Sequence, residues 1–79
     1  MLTPEQVIDT YFLEARHMLL ELAALLDRHD AAVARGGSPT GAGATAAKLA
    51  ALRDALTILR DSAAPTERTV ALLERFAQV

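Results

Sequence analysis

Seventy-nine residues with eight Lys and Arg, ten Asp and Glu, a net charge of -2 and no cysteine bound one small domain, and exclude disulfides, thiolate metal sites and cysteine nucleophiles. Hydrophobic residues make up 52% and aromatics only 4%, so the apolar mass is almost all Ala and Leu, which are strong helix formers. An all-α fold in one domain over 1–79 follows, with no clustered basic face for nucleic acid.

Helix 1 is expected over about 4–34. Thr3 is a capping residue, Pro4 suits the first helical position, Gln6 stands three after Thr3 as a capping box requires, and Glu5 complements the helix dipole. No Gly or Pro interrupts the chain until Arg35-Gly36-Gly37, the expected stop. At 1.5 Å per residue the rod is roughly 45 Å long, more than the rest of so short a chain can cover. MLTPEQ has no positive region of the kind that opens a signal peptide. Met18 to Leu26 is interrupted by Glu21 and is far short of the ~20 apolar residues of a membrane span. A cytoplasmic protein with no membrane partner is the expectation.

Laid on heptads, helix 1 carries a seam of Ile8, Ala15 and Leu22 beside Tyr11, Met18 and Leu25, with Phe12, Leu19, Leu26 and Val33 adjoining. That broad face suits a partner within the chain. Leu13 and Leu20 lie about 140° round from it at 100° per residue, flanked by Ala23 and Ala24. A helix apolar on two sides is packed on two sides, so Leu13, Leu20 and Ala24 are the candidate interface of a symmetric homodimer. Thr10, Glu14, His17, Glu21, Arg28 and Arg35 occupy the remaining strip.

Residues 36–43, GGSPTGAG, read as a flexible connection in which Ser38 and Thr40 are alternative caps for the next helix. Such a connection lets helix 2, about 44–61, return antiparallel to the first. Its Leu49, Leu52, Leu56 and Leu59 make a stripe widened by Ala55 and Ile58, and an alanine-rich start permits close approach. Ser62-Ala63-Ala64-Pro65 breaks it, and Pro65 can open helix 3, about 65–77. There Val70, Leu73 and Ala77 share one side, beside Leu72, Phe76 and Val79. So short a helix must dock on the hairpin to persist, and Phe76 is the aromatic available to Tyr11 and Phe12. Two such chains would give four long helices with two short ones attached.

One spacing has chemical potential. Glu14-x-x-His17 projects a carboxylate and an imidazole from the same side of a helix, and Glu21 follows on that strip. Glu14-Ala15-Arg16-His17 resembles the Glu-x-x-His string of ferritin-like di-iron bundles, which implies a metal held by Glu14, His17 and Glu21 once a dimer supplies the motif twice. Against it, such a site also needs a carboxylate from another helix. Helix 2 offers only Asp54 and Asp61, both off its leucine face. The bland alternative is a solvated Glu/His pair. Asp27-Arg28-His29-Asp30 similarly reads as the polar end of a long helix rather than a tuned histidine.

Catalytic machinery is not expected. The serines are Ser38 and Ser62, both in predicted loops without a G-x-S-x-G setting, and residues 36–43 lack the Lys-Ser/Thr ending of a phosphate loop. Pro4-Glu5-Gln6-Val7-Ile8, Tyr11-Phe12-Leu13-Glu14-x-Arg16 and Leu26-Asp27-Arg28 together resemble the opening of a family of small bacterial helical proteins of unassigned function. That resemblance implies an all-helical fold and assigns no site. The function expected is a non-enzymatic interaction or accessory module, homodimeric and without a cofactor, with an unidentified protein as a further possible partner. The alternatives are the metal-binding bundle and a small regulator of a larger protein.

Overall fold

The computed structural model describes residues 1–37, 43–61 and 67–79. These form three helices and no strand: α1, Pro4–Ala34; α2, Gly43–Arg60; and α3, Arg68–Phe76. The expected caps at Ser38 and Thr40, and the break from Ser62 to Pro65, lie outside the described residues. The chain divides into two compact units, Met1–Ser38 and Pro39–Val79.

The first unit is built on α1, which is fixed at both ends by short-range signals. At its start the Gln6 N–H donates to Thr3 Oγ1 at 3.1 Å, and the Thr3 N–H donates back to Gln6 Oε1 at 2.8 Å. This is the reciprocal capping box that the spacing predicts. Thr3→Ala should lower the stability of α1 by about 1 kcal/mol, read as a loss of helical circular dichroism on heating. At the other end the Gly36 N–H donates to the Val33 carbonyl and the Gly37 N–H to the Ala32 carbonyl, both at 3.1 Å. With Gly36 at φ +95° this is a Schellman stop. Gly37 is needed for a different reason: a Cβ there would sit 2.8 Å from the Ala32 carbonyl oxygen.

Between those ends α1 runs 31 residues without one buried side chain. Its half-buried positions are Ala15, Leu22, Leu26, His29 and Val33, a line at i, i+7, i+11, i+14 and i+18 that winds along one side.

In the second unit α2 packs on α3. Leucine periodicity points to Leu49, Leu52, Leu56 and Leu59 as the covered stripe of α2, but the buried residues are Ala51, 1% exposed, and Ala55, 8% exposed. Leu56 and Leu59 stay exposed. Ala51, Asp54, Ala55 and Ile58 fall within about 100° of one another round α2, so the small side chains lie beside the ion pair that ties the two helices. There Arg75 Nε donates to Asp54 Oδ2 at 2.9 Å. Arg68 Nε donates to the Leu59 carbonyl at 2.9 Å, satisfying one of the acceptors that every helix end leaves without an intrahelical partner.

Helix α3 begins three residues later than Pro65 predicts, after Glu67 in an extended conformation. Its half-buried positions are Ala71, Leu72 and Arg75, while Val70, Leu73 and Phe76 remain exposed. The apolar side expected from Val70 and Leu73 is therefore not the side most covered. Arg68 and Arg75 stand two turns apart on the same edge, and both are anchored to α2.

Candidate functional site

Every residue singled out for function, whether for an interface or for a metal, lies on α1. The capping box and the glycine stop give that helix its length. Its length spreads two kinds of surface along one rod, one apolar and one ionisable.

The apolar surface is large. Leu13 is 75% exposed and Leu20 55%, and Ala24, one turn on, is exposed as well. Val7, Ile8, Tyr11, Phe12, Met18, Leu19 and Leu25 are also exposed, so the uncovered apolar area reaches both flanks of the half-buried line. Tyr11 and Phe12 keep about half of their surface uncovered, at 51% and 58%. An open hollow of about 480 Å³ lies against Met18, Glu21, Leu22, Ala24, Leu25 and Arg28, where the apolar flank meets the ionisable strip.

On that strip His17 Nε2 pairs with Glu21 Oε1 at 3.2 Å, and both side chains are more than two-thirds exposed. An exposed i,i+4 pair of this kind contributes a few tenths of a kcal/mol. Glu14, which the Glu-x-x-His spacing would join to His17, makes no hydrogen bond to it, so the imidazole turns to the carboxylate one turn ahead. Within a single chain, no group of three or more His, Asp or Glu side chains is placed to hold a metal ion among the described residues.

His29 was missed as a packing residue. It holds Asp30 Oδ1 at 3.1 Å through Nδ1, and its side chain is 30% exposed against 77% for Asp30. The run Asp27-Arg28-His29-Asp30 is thus not uniformly solvated: His29 belongs to the half-buried line. The signal that could have found it is the seven-residue spacing Ala15, Leu22, His29.

None of the described helices is long and apolar enough to cross a membrane. Comparison with protein-family models, with curated proteins and with solved structures finds no match to this chain.

Proposed function

We propose that the protein is a non-enzymatic interaction module of the cytoplasm that acts as a homodimer, its copies pairing through α1. The observation that supports this is the exposure of Leu13 and Leu20 on a helix that also leaves apolar side chains bare on both flanks. The largest apolar patch of a typical monomer is about 300–600 Å² and is often functional. A stable standard-sized interface removes about 800 Å² from each partner, which a rod of this length can supply. Self-pairing is the simplest cover, because one patch then meets its own copy and no second surface has to be built. For a chain of this size, association also supplies burial that the isolated fold lacks.

Sedimentation at micromolar concentration tests the proposal: a species of two chains supports it, and a stable monomer overturns it. A monomer that keeps α1 folded would instead favour a small regulator whose apolar side takes a larger protein. The metal alternative has its own readout. Dialysed protein is expected to hold no stoichiometric iron, manganese or zinc; a bound equivalent that disappears in His17→Ala would put Glu14, His17 and Glu21 into a metal centre.

A further inference from the structure

We infer that the second copy lies antiparallel on the Leu13 side of α1, with Leu20 at the two-fold axis and Leu13 seated over the partner's Ala24 and the partner's Ala31. This rests on the homodimer proposed above and adds its orientation and register.

Bulk is distributed unevenly along one side of the helix. At 100° per residue, Asp9, Leu13, Arg16, Leu20, Ala24, Asp27 and Ala31 fall within about 80° of one another, and all of them are exposed. The large side chains are in the first half of this side and the alanines in the second. A parallel pair would set Leu13 against itself and Ala24 and Ala31 against themselves, leaving the alanine half under-filled. An antiparallel pair centred on Leu20 sets Leu20 against its own copy and, on either side of the axis, brings Leu13 level with the partner's Asp27, between the partner's Ala24 and the partner's Ala31. Leu13 then drops into the space bounded by the partner's Ala24, the partner's Asp27 and the partner's Ala31, as a knob enters a hole.

At Arg16 charge favours the same arrangement, while the partner's Asp27 also comes about 6 Å along the axis from Asp9. In a parallel pair Asp9, Arg16 and Asp27 would each meet the identical charge. Antiparallel about Leu20, Arg16 stands level with the partner's Ala24. The partner's Asp27 is then three residues further on, about 4.5 Å along the axis, on the same lip of the interface. Symmetry makes this contact twice. Antiparallel helix dipoles attract as well.

The absence of native cysteine makes disulfide mapping direct. Chains carrying Leu13→Cys should cross-link on oxidation when mixed with chains carrying Ala24→Cys or Ala31→Cys. Leu13→Cys alone should not, because its two copies would be about 21 Å apart along the axis, beyond the roughly 7 Å that a disulfide spans between Cα atoms. Arg16→Asp should weaken the dimer by about two- to thirtyfold, from two exposed ion pairs, and adding Asp27→Arg to the same chain should restore it. Self-cross-linking of Leu13→Cys would establish a parallel pair and overturn the inference. A dimer by sedimentation with no mixed cross-link, or with no rescue by the charge swap, would overturn the register and leave the homodimer standing. A wild-type monomer would overturn both.

Discussion

Replacing Leu13 and Leu20 together by glutamate should convert the protein to single chains without unfolding its helices. Both side chains are exposed on α1, Leu20 at 55% the less so, so the substitution removes little packing from within the chain, and glutamate has nearly the helix propensity of leucine. In the dimer each leucine leaves water. Fully burying an exposed leucine is worth about 1.5–3 kcal/mol; with Leu13 75% and Leu20 55% exposed, the four leucines contribute on the order of 4–8 kcal/mol, set against the freedom lost on association. Glutamate loses that term and adds the cost of burying a charge. The expected result is a sedimenting mass of one chain at concentrations where the wild type gives two, with unchanged far-ultraviolet circular dichroism at low temperature. A double variant that remains dimeric would move the interface to the flank of Tyr11, Met18 and Leu25.

The second large effect is expected where the residue is small. Ala51 is 1% exposed on α2, so its methyl group has no open space around it. Ala51→Leu forces three further carbons into filled space, which costs about 1–3 kcal/mol. In a domain of this size each kcal/mol moves the melting temperature by roughly 4–8 °C, so thermal unfolding should shift down by many degrees. Leu59→Ala, at a side chain 43% exposed, should shift it less. A larger loss from Leu59→Ala than from Ala51→Leu would mean that the leucine stripe, and not the alanines, carries the packing of the second unit.

That contrast shows what was legible beforehand. The ends of α1 were readable because their physics is local. Thr3 and Gln6 stand three apart, and Gly36 and Gly37 follow a helical run, so caps and stop need no partner to be recognised. All-helical content was readable for a similar reason, since Ala and Leu prefer the helix wherever they lie. Burial on α2 was legible in part: Ala55 stands on the expected stripe and the alanine-rich start was expected to permit close approach, but leucine spacing did not show that Leu56 and Leu59 would stay exposed. The buried positions are Ala51 and Ala55, and Arg68 and Arg75 tie one edge of α3 to α2. His29 was passed over for a related reason: as an ionisable residue in a charged run it looked solvated, although its position continues the line of Ala15 and Leu22.

The candidate site was legible only as a set of faces. Leu13, Leu20 and Ala24 could be grouped by angle, and their exposure gives that grouping its weight. Glu14, His17 and Glu21 could also be grouped by angle, but spacing alone did not determine which carboxylate the imidazole would take. The difference between Glu21, which it meets, and Glu14, which it does not, is a matter of side-chain conformation on an open surface. There several arrangements lie within a few tenths of a kcal/mol of one another.

Arg68 holds the Leu59 carbonyl across nine residues of chain. The final turn of α2 therefore depends on a residue beyond its own end, and α3 in turn is moored through that same side chain. Neither helix can fray at this junction without loosening the other, so the pair should open as one cooperative unit in hydrogen exchange.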